Sequence, residues 1–320
     1  MDNHLLEYIE IKDFKCFKDF NAKGFKRVNL IGGKNNVGKT AFMEACYLGI
    51  NTDNPKDFFH SLLVLELNRN SLKEFDIVND TNSFDFKFNE SIIKINDKLC
   101  SIGDHFFSDT LYQVPKKNYN DGVREFLDFY QGKDKPLNIK NNSFISQTSM
   151  RQNYIVDCID EIKLLHKFDY LNEVLKDCFQ IEKLDVIKNQ VMLFKDNEYL
   201  VLSEFGDGLK QFINIILSLF LNKERIVFLD EIENGIHYTQ LDTLWEIVLT
   251  ISKEQNVQVF ATTHSKECIE SYARVSKKLE DEDISFIELG KNKENKLDSI
   301  VMNSERFLRY IKMGNEVRGW

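Results

Sequence analysis

The chain has 320 residues, 42% of them hydrophobic, and a formal net charge of −9 at pH 7. A chain of this length can bury a substantial core, so it needs no disulfides to fold. The negative charge argues against a uniformly basic nucleic-acid coat, although it does not exclude DNA contact through a local lysine-rich face. The six cysteines are scattered without a C-x-x-C pair, which indicates free thiols rather than a metal cluster.

The sequence carries no membrane or export signal that we can identify. No apolar run is long enough to span a bilayer, and the first residues lack the basic-then-apolar pattern of a signal peptide. We therefore expect a soluble, cytoplasmic protein without a membrane partner.

A glycine-rich stretch follows an apolar strand near the start of the chain. The strand is predicted at residues 28–31, and residues 33–40 read GKNNVGKT. In a phosphate loop the glycines let backbone N–H groups surround the β-phosphate, the lysine reaches the β and γ oxygens, and the hydroxyl faces Mg²⁺. The pattern predicts these roles for Lys39 and Thr40; the alternative is an ordinary glycine-rich turn.

The first half of the chain reads as strands with a poorly patterned middle. Residues 6–17 and 28–31 are predicted as two early strands of one sheet, joined through a turn at 20–25. Further predictions are a helix at 58–67, an antiparallel meander at 84–88, 92–95 and 99–102, and a helix at 123–130.

The second half alternates helices and strands more regularly. Helical spacing covers residues 153–165 and 170–175, and three short strands are predicted at 183–187, 191–194 and 199–202. A helix that is apolar nearly all round, and so predicted to be buried, spans 209–221. Strands follow at 225–229 and 257–261, separated by an amphipathic helix, and the chain closes with strands near 284–289 and 299–302 and a helix near 305–313.

Two acids follow the strand at 225–229. A central parallel strand presents polar groups at its C-terminal edge, where Asp230 can hold Mg²⁺ and Glu231 can polarise an attacking water. The alternative is a surface acid pair that caps the next helix. His264, three residues after the strand at 257–261, can bond to a γ-phosphate and to that water, or can be purely structural.

Four motifs in this order resemble one family. They are GKNNVGKT at 33–40, FGDG at 205–208, DEIENGIH at 230–237 and TTHS at 262–265. Together they resemble the ABC-type ATPases of the RecF/SMC/OLD kind, and most of all the stand-alone bacterial ATP-binding proteins called AAA family ATPases. The resemblance runs from residue 9 to about residue 272.

The resemblance implies an α/β fold, an ABC-type P-loop ATPase head with an antiparallel β subdomain and a helical insertion. The whole chain, 1–320, would be one head. Its nucleotide-binding core would comprise 1–50 and 180–290, its inserted β and helical lobe 51–179, and its C-terminal strand and helix 291–320.

The resemblance also implies roles for single residues. Glu231 would be the general base and His264 the switch histidine, and Thr40 and Asp230 would hold Mg²⁺. The nucleotide would be bound by Gly33, Asn35, Asn36, Gly38, Lys39, Thr40, Ala41, the Q-loop candidate Gln147, and the signature loop Gly206, Asp207 and Gly208.

The signature loop departs from the family pattern, because Gly206 stands where a serine is usual, unless Ser203 substitutes for it. The helix after this loop would point its N-terminus at the γ-phosphate bound by a partner subunit. The segment 233–237 fits the D-loop at the dimer interface; the alternative is a simple turn.

By this resemblance the protein is an ATP- and Mg²⁺-dependent ATPase that forms homodimers or higher oligomers. Such proteins serve anti-phage defence or DNA repair, here with a separate effector such as a nuclease, because too few residues follow His264 for the nuclease domain of OLD proteins. Two alternatives stay open: the ATPase subunit of a membrane transporter, and a nucleotide-gated scaffold with little hydrolysis.

Overall fold

The structure is a computed structural model that describes residues 6–50, 61, 65, 83–88, 91–96, 99–102, 105–107, 143–145 and 152–315. For the strands between 83 and 107 only the backbone is described. The predicted helix at 123–130 and the Q-loop candidate Gln147 lie outside these residues, as does the predicted helix at 58–67 apart from Ser61 and Leu65.

The described part of the chain alternates strands and helices. The strands are β1 (Tyr8–Phe14), β2 (Phe17–Lys23), β3 (Val28–Gly33), β4 (Ser83–Phe88), β5 (Ser91–Asn96), β6 (Leu99–Ile102), β7 (His105–Phe107), β8 (Ser143–Ile145), β9 (Lys183–Ile187), β10 (Gln190–Lys195), β11 (Glu198–Val201), β12 (Ile226–Leu229), β13 (Gln258–Thr262), β14 (Ile284–Lys291) and β15 (Leu297–Asn303). The helices are α1 (Lys39–Ile50), α2 (Gln152–Leu164), α3 (Phe168–Phe179), α4 (Asp207–Leu221), α5 (Leu241–Gln255), α6 (Lys266–Lys278) and α7 (Ser304–Lys312).

The central sheet has the strand order β15-β14-β3-β13-β12-β8. All of its neighbouring pairs are parallel except β14 with β15. The strands β3, β12 and β13 are buried throughout, because these mostly apolar segments are covered on both faces. Their carboxyl ends meet at one edge, which therefore collects the polar residues that follow each strand.

The second sheet is antiparallel and has the order β2-β1-β4-β5-β6-β7. The predicted meander is present as β4, β5 and β6, with β7 added. The prediction that the first strand and the strand at 28–31 share a sheet is wrong. Residues 20–23, part of the segment 20–25 that was expected to be a turn, belong to β2 instead, and β2 pairs back on β1 from Phe14↔Phe17 to Tyr8↔Lys23.

A third sheet, β11-β10-β9, lies ahead of α4, and the helix pair α2 and α3 precedes it, as predicted. The helix α4 is buried over most of its length, from Gly208 to Phe220. No helix in the described ranges is both long and apolar enough to cross a bilayer.

Two apolar clusters cover the two faces of the central sheet. One packs the helices α2 to α7 against it, and the other packs β1, β2 and α1. In the second cluster an aromatic row crosses three parallel strands, with ring centroids 6.0 Å apart for Phe144 and Phe228 and 5.5 Å apart for Phe228 and Phe260. Tyr47 of α1 packs edge-on against Phe144 and Phe228, which fixes α1 on the sheet.

Candidate active site

The loop between β3 and α1 is shaped by two glycines that cannot carry a side chain. Gly33 has φ +146°, and a Cβ there would lie 2.6 Å from the carbonyl oxygen of Leu289. Gly38 has φ +99°, and a Cβ would lie 2.7 Å from Sγ of Cys16, at the tip of the β1–β2 hairpin. The loop is therefore held between β14 and this hairpin, while Lys34, Asn35 and Asn36 are exposed between the two glycines.

Lys39, the first residue of α1, turns its ammonium group back onto the loop. Its Nζ donates hydrogen bonds to the carbonyl oxygens of Gly33 at 2.9 Å and Lys34 at 3.0 Å. Burial lowers the pKa of Lys39, and the nearby carboxylates of Glu233, Asp230 and Glu231 partly oppose that shift. The cation is thus placed beside the acids, inside the loop where a phosphate would be enclosed.

Asp230 lies between two threonine hydroxyls at the sheet edge. Thr262 Oγ1 donates to Asp230 Oδ1 at 2.5 Å, and Thr40 Oγ1 approaches the carboxylate at 3.1 Å. Burial raises the pKa of Asp230, and the two hydroxyl bonds only partly offset it. A hydroxyl and a buried carboxylate in contact suit Mg²⁺, which prefers oxygen ligands and would favour the ionised acid.

Glu231 and His264 form a pair across the ends of β12 and β13. His264 Nε2 lies 2.8 Å from Glu231 Oε1, and both side chains are partly exposed. Glu231 has φ +51°, a left-handed conformation that is costly for a residue with a Cβ. Thr262 holds this backbone in place, because its Oγ1 accepts the N–H of Glu231 at 2.8 Å and its carbonyl oxygen accepts the N–H of Ile232 at 3.0 Å.

The predicted signature loop lies against the turn that follows the acid pair. A Cβ on Gly208, at the start of α4, would lie only 2.2 Å from the carbonyl oxygen of Gly235. Gly235 itself has φ +71°. The N-terminus of α4 is thus in backbone contact with this turn, and Gly206 and Asp207 are exposed beside it.

The structure brings together the predicted residues of the phosphate loop, the acid pair and His264. It places the predicted signature loop against Gly235, in the turn that follows the acid pair. Sequence reasoning missed Thr262, which contacts both acids, and it gave Glu233 no role of its own. The position of Thr262 at the end of a buried strand beside the acid pair is the signal that could have found it.

Comparison with known proteins identifies the family of this site. A family model described as "AAA domain, putative AbiEii toxin, Type IV TA system" matches residues 28–270, which include the phosphate loop, the acid pair and His264. The chain belongs to this family. This AAA-domain chain is a P-loop ATPase, as its motifs predicted.

A curated relative and two solved structures are similar to the AAA-domain chain. An ATP/GTP phosphatase of Helicobacter pylori (strain ATCC 700392 / 26695) is 27% identical over an alignment of 333 residues. The alignment covers 83% of this chain and 87% of that protein. The SmcHead bound to the C-winged helix domain of ScpA has a TM-score of 0.54 and 12% identity over 94% of this chain and 98% of that chain.

The second structure is the Smc head domain with an extended coiled coil bound to the C-terminal domain of ScpA, derived from Pyrococcus furiosus. Its TM-score is 0.50 and its identity 12%, over 97% of the AAA-domain chain and 99% of that chain. These two neighbours confirm the predicted fold class, an SMC-head-like P-loop ATPase fold with antiparallel sheets and several helices.

Proposed function

We propose that this ATPase binds ATP between two copies of the chain, closes on binding and reopens on hydrolysis, and so controls the assembly of a complex. The observation that carries the proposal is the pair of contacts at one sheet edge, Thr40 with Asp230 and Glu231 with His264. Phosphoryl transfer to water needs a phosphate cradle, a metal ligand set and a positioned base. The loop with Lys39 would supply the first, and these two pairs would supply the others.

Each side chain has a distinct role in this proposal. Lys39 exchanges its loop carbonyls for phosphate oxygens, and Glu231 accepts the proton of the attacking water. His264, bonded to Glu231, orients that base and reaches the γ-phosphate. Thr40 and Asp230 would hold Mg²⁺, which supplies charge neutralisation on the phosphates.

The need for a second copy is supported by the N-terminus of α4. This 15-residue helix has no side-chain cap at Gly206, and Gly206 and Asp207 at its start are exposed. Its free N–H groups and the positive end of its dipole suit an anion. Because Gly208 packs on Gly235 of its own chain, we propose that the phosphate it meets is the one bound by a partner copy.

The cellular role that we propose is anti-phage defence or DNA repair, together with a separately encoded effector such as a nuclease. The description of the matching family names a toxin and a toxin–antitoxin system, which supports the defence role. Both Smc head structures are bound to a ScpA domain, which supports assembly with another protein. ATP binding would then recruit or release the effector.

The first test of this proposal uses two substitutions. Glu231→Gln keeps the size of the side chain but cannot accept the proton, so we expect ATP binding with a trapped dimer and a fall in hydrolysis of about 10²- to 10⁴-fold. Lys39→Ala removes the phosphate ligand, so we expect no ATP binding and a monomer. Light scattering coupled to size exclusion, with and without ATP and Mg²⁺, measures the oligomeric state of each variant, and release of phosphate from ATP measures hydrolysis.

The matched control is Glu294→Gln, which removes an exposed charge that pairs with Lys296 outside the site. It should bind ATP, hydrolyse ATP and dimerise as the wild type does. If Glu231→Gln stays monomeric with ATP at micromolar concentration and forms no stable complex with any partner, the two-copy proposal is wrong. A wild type that binds ATP and dimerises without hydrolysing it would instead be a nucleotide-gated scaffold.

The effector is tested separately by purifying the native complex with and without ATP. A protein that is retained only in one nucleotide state would support the effector proposal, and mass spectrometry would identify it. Direct DNA contact, if present, should weaken steeply as salt rises, because phosphate contacts release counterions.

A further inference from the structure

Glu233 joins the turn that carries the acid pair to the start of α6. Its Oε1 accepts the backbone N–H of His264 at 3.1 Å and the backbone N–H of Ser265 at 3.2 Å. These two residues come immediately before α6, and Ser265 is the N-cap whose Oγ accepts the N–H of Cys268 at 3.1 Å. A carboxylate at this point holds the backbone just ahead of α6 and lies near the positive end of the helix dipole.

The turn that carries Glu233 also carries Glu231. Within it, the N–H of Asn234 donates to the carbonyl oxygen of Glu231 at 2.9 Å, and the N–H of Ile236 donates to that of Glu233 at 3.0 Å. His264 is therefore tied to this turn twice, by its ring to Glu231 and by its backbone to Glu233. The backbone tie limits where the imidazole can go, because it fixes the Cα from which the ring extends.

The second carboxylate oxygen of Glu233 lowers the stability of the folded state. Its Oε2 is buried and has no hydrogen-bond partner. A buried oxygen without a partner has lost its hydration and gained no hydrogen bond in return, which lowers the stability of the folded state. Such local costs are typical of residues that are kept for function rather than for stability.

We infer that Glu233 is a positioning residue for hydrolysis: its carboxylate holds the backbone of His264 and Ser265, and so sets the approach of the His264 imidazole to Glu231. This inference rests on the proposed ATP hydrolysis. Glu233 touches neither substrate nor water in this role, and acts only through His264.

The kinetic test compares three variants of the full chain. Glu233→Ala removes the acceptor, so kcat for ATP should fall about tenfold to a hundredfold, the usual loss when an outer hydrogen-bond partner is removed, while KM changes less than about threefold. Glu233→Gln keeps an acceptor oxygen and should retain kcat within about threefold of wild type. Ser265→Ala removes the cap hydroxyl but keeps the backbone N–H, so it should lower the melting temperature and leave kcat unchanged.

Three kinetic outcomes overturn the inference. If Glu233→Gln loses as much kcat as Glu233→Ala, the charge beside Lys39 matters and not the hydrogen bonds. If Ser265→Ala loses as much kcat as Glu233→Ala does, the role of Glu233 is limited to stabilising the start of α6. The double variant His264→Ala with Glu233→Ala decides whether Glu233 acts through His264: it should be no slower than His264→Ala alone, and additive losses contradict the inference.

A spectroscopic arm keeps this inference separate from the proposed function. With labelled histidine, the ring resonance of His264, assigned by its loss in His264→Ala, should shift in Glu233→Ala and remain in place in Ser265→Ala, without nucleotide and at constant pH. A wild type that does not hydrolyse ATP would contradict the proposed function, but the spectroscopic test would still be valid because it is made without nucleotide. An unmoved His264 resonance in Glu233→Ala would defeat the positioning role alone.

Discussion

At the scale of single residues, Asp230 carries the clearest conflict between stability and function. It is bonded by the hydroxyls of Thr262 and Thr40, yet burial still raises its pKa above the ordinary value of 3.8. The folded state therefore binds this proton more tightly than the unfolded chain does. The contribution of Asp230 to the free energy of unfolding decreases as the pH rises above 3.8, and above the folded-state pKa it is fully unfavourable.

Asp230→Asn should therefore stabilise the nucleotide-free protein at neutral pH. The change removes a buried charge but keeps a polar group beside both hydroxyls. We expect the melting temperature to rise by about 2 °C, the shift that roughly 1 kcal/mol gives in a large domain, and the gain over wild type to shrink as the pH is lowered toward 4. Differential scanning fluorimetry across that pH range measures it.

The same variant should lose Mg²⁺-dependent ATP binding, because the proposed metal ligand is gone. A drop in melting temperature at pH 7 would contradict the burial cost that we assign to Asp230. Retained Mg²⁺-dependent binding would contradict its role as a ligand.

At the scale of elements, the start of α4 and the turn after the acid pair form one rigid contact. Gly208 meets Gly235 backbone to backbone, with no flexible side chain between them. A side chain at 208 can be accommodated only by moving the helix or the turn. The position of the signature loop is therefore set by the same turn that carries Glu231 and Glu233.

Gly208→Ala should destabilise the protein by about 1–3 kcal/mol, the usual cost of overpacking. It should also abolish ATP-dependent dimerisation, because the N-terminus of α4 is displaced. Thermal unfolding and light scattering measure the two effects. For unfolding the matched comparison is Gly206→Ala, where an added Cβ meets no atom within 4 Å. Equal melting temperatures for the two variants would show that the contact does not constrain the helix.

Most elements around the site could be predicted from the sequence, because their signals are local. The phosphate loop has fixed spacing, β12 is a continuous apolar run, β13 is mostly apolar, and α4 is apolar nearly all round. What could not be predicted depends on contacts between residues far apart in sequence. The assignment of β1 to a second sheet depends on its pairing with β4, 70 or more residues away, as in Ile9↔Phe88.

The same limit applies within the site. The bond from His264 to Glu233 joins residues 31 apart, and the contact between Gly208 and Gly235 joins two turns whose sequences give no sign of each other. The resemblance rests on the order of four motifs in the sequence. A motif gives the identity and spacing of its residues, but it does not give the contacts between one motif and another. Thr262 was missed for this reason, since its hydroxyl acts on the neighbouring strand.

At the scale of the whole molecule, one buried arginine joins three separate parts of the chain. Arg27, just before β3, donates to the carbonyl oxygen of Leu249 at 3.1 Å and to the hydroxyl of Ser252, both in α5. It also forms an ion pair with Asp281, between α6 and β14, and both side chains are buried. Because β3 leads into the phosphate loop, this cluster fixes the base of the strand that carries the site.

Arg27→Ala should lower the free energy of unfolding by about 3–5 kcal/mol, because it leaves the carboxylate of Asp281 buried and unpaired by its main cation. Urea unfolding followed by circular dichroism measures the loss. The matched control is Arg309→Ala, which breaks the exposed pair with Glu305 and should cost less than about 1 kcal/mol. Similar losses for the two variants would contradict the assignment of Arg27 as a structural anchor.

The hydrogen bonds of Lys39 also determine what a nucleotide-binding measurement reports. Its ammonium group already has two acceptors, the carbonyl oxygens of Gly33 and Lys34, before any phosphate arrives. In the proposed site, binding of a triphosphate would therefore be an exchange of hydrogen-bond partners by Lys39 rather than the addition of a new partner. A measured affinity would then report the free energy of the phosphate contacts of Lys39 minus that of the carbonyl contacts it gives up. A variant that weakens the carbonyl contacts could therefore bind ATP more tightly without any new contact to ATP.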